Sequence, residues 1–407
     1  MIFQEKDNKL FNSVVNHANL LKAFFVARKG KTKNKEVLDF EGDLQRNILD
    51  IIKSITRGKY EVGEYKEFKI YDPKERLIQA TPFVDRVVQH MICDEYLTPL
   101  VDRVCIYDNC ACRPNKGTDF AQARLRSFMQ ARKQNNKLGY CLQIDIRKYF
   151  NSINHNVLKE ILRKKVKSEK LCKLLDKFID SYHIPIEETS KYSSNDFKGL
   201  AMGNQTSQIF ALLYLDSVDR IAKEKYRIKH YVRYMDDIVI MSDNKETLVN
   251  LLQDIKEELG RLKLEVNKDK TKIFKVSTGI TFIGFRFKFN NRGLLQQQLK
   301  AASRGRIKAK LNKKLSEYKL GLITLEKFSE TLQSYLAYFK KERNCRTNLL
   351  SDEIRELIKS NDLEWDFSMY IPIVAKIEEK KFKYQKIKRI MQVPGIKYEK
   401  KTVHCNK

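Results

Sequence analysis

"HYVRYMDDIVIMSD", His230–Asp243, sets two carboxylates side by side in the most strand-like run of the chain. Tyr231, Val232, Tyr234 and Met235 precede Asp236 and Asp237; Ile238, Val239, Ile240 and Met241 follow. Like charges at that spacing repel, and burying either is costly unless something cationic neutralises them. A hard divalent cation is the natural candidate, because it takes oxygen ligands. Successive residues of one strand point to opposite faces, so both carboxylates could serve one site only if a turn re-aims one of them. The reading is therefore two strands with Met235-Asp236-Asp237 at or near the bend. A further carboxylate is offered by "YCLQIDIRKYF", where Asp145 interrupts a second strand-like run from Tyr140 to Ile146. Helical patterns fill the interval between Asp145 and Asp236, as expected for strands brought side by side by intervening helices. Taken singly, each stretch fits equally well a strand-end cap and a polar turn.

Composition narrows the class. The chain has 407 residues, more than one typical core, with 42% hydrophobic residues. Eighty Lys and Arg against 51 Asp and Glu leave a formal net charge of +29, which points to a polyanionic partner. No apolar run reaches the roughly 20 residues needed to span a bilayer. The N-terminal "MIFQEKDNKLFNSVVNHANLLK" mixes charge with apolar residues and does not read as a secretory signal, so a cytoplasmic, membrane-free protein is expected. The eight cysteines are scattered; Cys110 and Cys112 alone are close, without partners for a zinc site, and are read as reduced thiols.

Residues 1–60 read as helices, with stops at Gly30 and Gly58. "YKEFKIYDPKERLIQATPF" alternates like a hairpin around Asp72-Pro73, and a helix is expected from Asp85 to Leu97. After Asp145 comes a turn, then a helix that Asn154 is placed to cap. "GLAMGNQTSQIFALLYLDSVDR" is a loop feeding an apolar helix, "KETLVNLLQDIKEELGRL" a helix, "LEVNKDKTKIFKV" a strand with a basic turn, and "GITFIGFRFKFN" a strand pair. From residue 300 the pattern becomes helical, with Lys and Arg on one face; Lys376–Lys401 is a basic tail interleaved with aromatics.

The order of these pieces resembles that of a reverse transcriptase. "LQIDIRKYF" is similar to the first catalytic motif of that family, "GLAMGNQTSQ" to its template- and nucleotide-positioning loop, "YMDD" to its central catalytic turn, "NKDKTK" to its lysine motif and "FIGFRF" to its primer-grip strands. The terminal Gln208 of the loop, with "YDNCACRPNKGTD", "VVQHMIC" and "STGITFIGFRF", resembles the group from diversity-generating retroelements and related antiphage-defence enzymes. The resemblance implies an α+β fold: a right-hand polymerase with fingers, a ferredoxin-like palm of antiparallel sheet plus helices, and a helical thumb with a C-terminal extension. Its boundaries would be 1–135 for N-terminal helices and fingers, 136–298 for the palm (with fingers elements around 160–200), 299–350 for the thumb and 351–407 for the extension.

The resemblance also implies roles. Asp145 and Asp236, with the Ile146 carbonyl and a lesser part for Asp237, would hold two Mg²⁺ ions, for which Mn²⁺ can substitute. Lys69 and Arg76 would clamp the dNTP phosphates. Lys270 would protonate the leaving diphosphate. Phe150 falls at the steric-gate position against a 2′-hydroxyl, and Met202, Gly203 and Gln208 lie in the loop under the templating base. The implied activity is RNA-directed DNA synthesis from a dedicated RNA in a diversity-generating retroelement, with error-bearing cDNA; the alternative is an antiphage enzyme making DNA from a noncoding RNA. Partners would be a structured template RNA, an RNA–DNA hybrid and dNTPs, with a basic accessory protein or a homo-oligomer also compatible. Two other classes compete: an RNA-binding protein on a silent polymerase fold, against which the intact carboxylates argue, and a carboxylate-cluster nuclease, which would need further acids near the cluster.

Overall fold

The computed structural model describes residues 2–71, 75–184, 197–339, 341–344 and 354. The expected turn at Asp72-Pro73, residues 185–196, the basic tail and nearly all of 351–407 lie outside the described residues. The architecture is α+β, as expected.

Asparagine and serine caps set many helix starts, because their side-chain oxygens accept the otherwise unpaired N–H groups of the first turn. Asn16 splits the expected first long helix into Ile2–Val14 and His17–Arg28, accepting from Asn19 N. Asn34 caps Lys35–Gly42, Ser168 caps Glu169–Asp180 and Asn244 caps Lys245–Arg261. Asn154 caps His155–Lys165 through Val157 N, as the sequence predicts. The helix expected from Asp85 begins at Phe83 and runs to Ile92; a one-turn π segment, Cys93–Leu97, then feeds a further helix, Thr98–Val104.

The strands are β1 (Lys66–Ile70), β2 (Arg76–Ala80), β3 (Tyr140–Ile144), β4 (His230–Tyr234), β5 (Asp237–Ser242), β6 (Lys272–Lys275), β7 (Ile280–Phe282), β8 (Phe285–Phe289) and β9 (Leu295–Leu299). β1 and β2 form an antiparallel hairpin with Ile70 opposite Arg76. The sheet that positions the site has the order β4-β5-β3-β6, and each of its pairs is antiparallel. β3 pairs Ile144 with Ile238 of β5 and Gln143 with Lys272 of β6. Helix Lys245–Arg261 lies against β3 and β5, burying Leu248, Leu251, Ile255 and Leu259. β9 was not foreseen; "LLQQQL" mixes glutamines into a short apolar run and has weak strand character.

The chain divides into two compact units. One holds the residues up to Ile283 with Phe287–Phe289; the other holds Gly284–Arg286 and the described residues from Asn290 on. In the second unit, helices Ala301–Lys319 and Leu325–Phe339 pack on each other, and Ile307, Leu311, Leu315, Phe328, Leu332 and Leu336 are buried. Tyr318 stacks on Phe328 at 6.1 Å. Arg306, Lys308, Lys310 and Lys313 stay exposed.

One ion pair of the first unit is wholly buried. Arg233 of β4 donates from Nε to Asp219 Oδ1 at 2.7 Å and from Nη2 to Oδ2 at 2.6 Å, with both side chains at 0% exposure. Tyr231 donates its hydroxyl to the same carboxylate, and Arg233 also donates to Leu212 O and Met235 O. Removing one partner strands the other charge, which typically costs about 3–5 kcal/mol. Arg233→Met is therefore expected to lower unfolding free energy by an amount of that order in denaturant titration, and Arg233→Met/Asp219→Leu by clearly less. A single variant within about 1 kcal/mol of wild type would contradict the assignment.

Candidate active site

Asp145 follows the last residue of β3. Continuing the β3–β5 register by one residue places it opposite Asp237, and directly opposed residues share a face of the sheet. On the other side the β3–β6 ladder ends at Gln143–Lys272, and the turn before β6 carries Lys270 toward Asp145. The side chains agree: Lys270 Nζ donates to Asp145 Oδ2 at 2.9 Å. The backbone around Asp145 is fixed as well. Its carbonyl accepts from Asn267 N at 2.7 Å, and Arg147 N donates to Glu265 O at 2.9 Å. These two bonds flank the Ile146–Val266 bridge.

Asp236 and Asp237 sit on a tight hairpin in which Tyr234 pairs with Asp237 and Met235-Asp236 make the turn. Met235 has φ 54°, in the left-handed region that costs a non-glycine residue on the order of 1–3 kcal/mol. Arg233 Nη1 donates to Met235 O at 3.1 Å and so ties the strained turn to the buried ion pair. The turn also resolves the facing problem, because Asp236 belongs to the bend and Asp237 to β5.

Burial pushes the Asp236 carboxyl up, its own backbone N–H pulls it down and the nearby Asp145 raises it, while Lys270 and Arg76 lower it. Burial is also the main cause of raising Asp237, to about 6; Asp236 and Asp145 add to the rise, against hydrogen bonds from Gln143 and the Ile283 N–H. Gln143 Nε2 donates to Asp237 Oδ1 at 3.3 Å and to Thr281 O at 2.7 Å. The three carboxylates thus form one electrostatic cluster. Among the described residues, no group of three or more His, Cys, Asp or Glu side chains is drawn tightly enough to cage a metal by itself. The donor set is nonetheless suited to a hard cation: carboxylate oxygens on three side chains, two of them, Asp236 and Asp237, held up by burial and by neighbouring carboxylate charge, with a lysine beside the third.

The remaining expected residues lie around this cluster or on the loop feeding the next helix. Arg76, at the start of β2, is exposed and acts electrostatically on Asp236. Lys69, on β1, is exposed and paired with Glu75 Oε1 at 2.7 Å. Phe150 is half-buried, edge-on to Tyr149, and its carbonyl accepts from Leu200 N. Met202 N donates to Gln79 Oε1 at 3.3 Å. A Cβ on Gly203 would stand 1.9 Å from Gln79 O, so only glycine permits this approach to β2. Gln208 is exposed and accepts from Cys112 Sγ at 3.0 Å.

Two glutamines that carry no sequence signal hold this loop. Gln79 bonds the loop as above, and its Nε2 donates to Glu67. Gln89, fully buried, offers Oε1 to Gln205 N at 2.8 Å and to Thr206 N at 3.5 Å. It thereby caps helix Gln205–Tyr214, whose N-cap Asn204 makes no capping bond because its side chain is turned to Tyr65. No local signal marks a cap supplied from a distant helix.

A family model described as reverse transcriptase (RNA-dependent DNA polymerase) matches residues 70–287, more than half of the chain. The chain belongs to the reverse transcriptase family. Similar curated proteins include the group II intron-encoded protein LtrA of Lactococcus lactis subsp. cremoris, 22% identical over 382 residues, covering 74% of this chain and 61% of that protein. Another is the putative COX1/OXI3 intron 2 protein of Saccharomyces cerevisiae, 22% identical over 288 residues and covering 56% of this chain and 31% of that one. The Escherichia coli protein YkfC is 25% identical over 183 residues, 36% of this chain and 46% of its own. This reverse transcriptase chain thus spans 31–61% of the length of these relatives. A solved apo telomerase from Candida Tropicalis, truncated from the C-terminal domain, is similar at TM-score 0.39 and 19% identity over 58% of this chain and 55% of that one, too slight a likeness to argue from. No helix among the described residues is long and apolar enough to cross a membrane.

A carboxyl raised to about 6 by burial contributes stability that is full below its unfolded value near 4 and is lost as pH rises through 6. In chelator, Asp237→Asn is expected to match wild type near pH ~4 and to exceed it by on the order of 2 kcal/mol above pH ~7. Denaturant titrations across that range check this; a difference that does not change with pH would contradict it.

Proposed function

We propose that this chain is an RNA-directed DNA polymerase whose site is the Asp145–Asp236–Asp237 cluster, with Lys270 and Arg76 as its cationic surround. The observation that carries the reading is the sheet register, which sets Asp145 at the same end of β3 and β5 as the adjacent Asp236 and Asp237, far from it in sequence. Asp145 and Asp236, with the Ile146 carbonyl and a lesser part for Asp237, would hold magnesium. Bound there, two divalent cations would supply Lewis-acid stabilisation of the attacking and leaving oxygens of nucleotidyl transfer. The protein's own groups do the rest. Arg76, opposite Ile70, would hold the triphosphate by a bidentate fork; Lys69, opposite Leu77, stands on the other face of the β1–β2 hairpin and would reach the phosphates only around the strand edge. Lys270 carries a proton at Nζ toward the departing diphosphate. The Phe150 ring fills the space of a ribose 2′-hydroxyl. Met202, Gly203 and Gln208, held through Gln79 and Gln89, seat the templating base. The exposed cations of helix Ala301–Lys319 suit the backbone of a near-A-form RNA–DNA hybrid. In this reading 1–135 supplies N-terminal helices and fingers, 136–298 the palm and 299–350 the thumb.

The biological setting we infer is a diversity-generating retroelement, supported by Met202 and Gln208 in the positioning loop; antiphage synthesis from a noncoding RNA shares the same chemistry. Sequencing the RNA that co-purifies and its cDNA separates the two. A template repeat with adenine-directed errors is expected, and a structured RNA giving concatenated, faithful DNA would contradict it. Asp236→Asn should abolish Mg²⁺-dependent primer extension by at least a hundredfold while RNA affinity stays near wild type; retained synthesis would refute the site. Phe150→Ala should admit ribonucleotides, read as a rise in rNTP over dNTP incorporation, and unchanged sugar selectivity would move the gate elsewhere.

A further inference from the structure

One thiol is held between the Asp236–Asp237 hairpin and helix Gln205–Tyr214. Cys112 Sγ donates to Gln208 Oε1 at 3.0 Å. The segment before it runs along the edge of β4 that faces away from β5. Asn109 bridges Arg233 in parallel, Arg233 N donates to Asp108 O at 3.0 Å, and Cys110 N donates to Arg233 O at 2.9 Å. This pairing carries the chain toward Tyr234, which stands opposite Asp237. Burial chiefly raises the Tyr234 hydroxyl, and Cys112 and then Cys110 add to the rise, as expected of thiols close by.

Both partners are anchored. Arg113, next in the chain, has a buried guanidinium that donates to Asp102 Oδ1 at 2.7 Å and to the carbonyls of Ile106 and Asn109 at 2.7 and 3.1 Å. Gly117 N closes the loop onto Cys110 O at 2.8 Å. Cys112 itself has φ 46°, a costly backbone for a non-glycine residue and one that gathers at functional sites. On the other side, Gln89 caps the first turn of the helix that carries Gln208. Cys112 is exposed as a residue, yet the protein packed around its sulfur pushes the thiol up, so it keeps its proton at neutral pH. A protonated thiol donates, and a donor selects the oxygen end of an amide. Oxygen and nitrogen lie on opposite sides of the amide carbon, so tying Oε1 to sulfur aims Nε2 away from Cys112.

We propose that Cys112 is a positioning residue that tightens base selection by holding the Gln208 amide in one orientation. The proposal rests on the polymerase reading, in which Gln208 lies in the loop under the templating base. An amide held at one end presents donors alone and tests for an acceptor at one place. An amide free to turn presents donor or acceptor and discriminates less, because a mismatched group no longer leaves a partner unpaired. Serine can replace the thiol in this role, since its hydroxyl donates; alanine cannot.

The test is sequencing of the cDNA that the full chain makes from a heteropolymeric RNA with an annealed DNA primer and Mg²⁺. Cys112→Ala should raise misincorporation per nucleotide at least threefold, and Cys112→Ser should stay within twofold of wild type. In a Gln208→Ala background, Cys112→Ala should add nothing, the signature of two residues acting as one. An error rate unchanged or lowered in Cys112→Ala, a serine variant as error-prone as alanine, or a full additional effect without Gln208 would each overturn the proposal. The contact has a readout that needs no synthesis: iodoacetamide should label Cys112 at least twofold faster in Gln208→Ala, because the thiol then loses the acceptor that favours its protonated form. Equal labelling would also overturn the proposal. A wild-type chain that shows this labelling difference yet extends no primer would refute the polymerase reading, and the selectivity role with it, while the thiol–amide contact stands.

Discussion

The register of β3 between β5 and β6 is the constraint on which the site depends. Ile144 opposite Ile238 and Gln143 opposite Lys272 leave Asp145 flanked by Asp237 and Lys270 at the open end of the sheet. A slip of one residue would turn every side chain of β3 to the other face. It would expose Leu142 and Ile144, which are fully buried, and bury Gln143 in their place. The apolar packing of helix Lys245–Arg261 on β3 and β5 therefore fixes the electrostatics at the open end of that sheet.

Adjacent carboxylates are tolerated here for reasons that can be named. The turn splits their directions, Gln143 and the Ile283 N–H hydrogen-bond Asp237, and Lys270 pairs with Asp145. Beneath them, the buried Arg233–Asp219 pair holds the carbonyl of Met235 and so the tip of the hairpin. A divalent cation entering the cluster would compete with Lys270 for Asp145, which suits a lysine assigned to move between a carboxylate and a departing anion.

Much of this was legible in the sequence. Alternating apolar residues marked β3, β4 and β5, and acids inside such runs stood out because a buried charge needs a reason. Asn154 announced its helix, since capping is local chemistry. Other features depend on contacts between distant segments. Gln79 and Gln89 look like ordinary polar positions on a strand and a helix, yet they grip the loop at Met202–Thr206. Asp219 reads as one more acid of a surface helix until Arg233 is placed against it. β9 was missed because three glutamines blur its alternation.

Replacing magnesium with Fe²⁺ and adding ascorbate cleaves a protein backbone wherever the bound metal lies, and this tests most directly whether the three carboxylates form one metal site. Cuts are expected together at residues 144–147 and 234–238, and all should vanish in Asp145→Asn. Cleavage confined to one of these segments, or unchanged by that substitution, would contradict the arrangement on which the account rests.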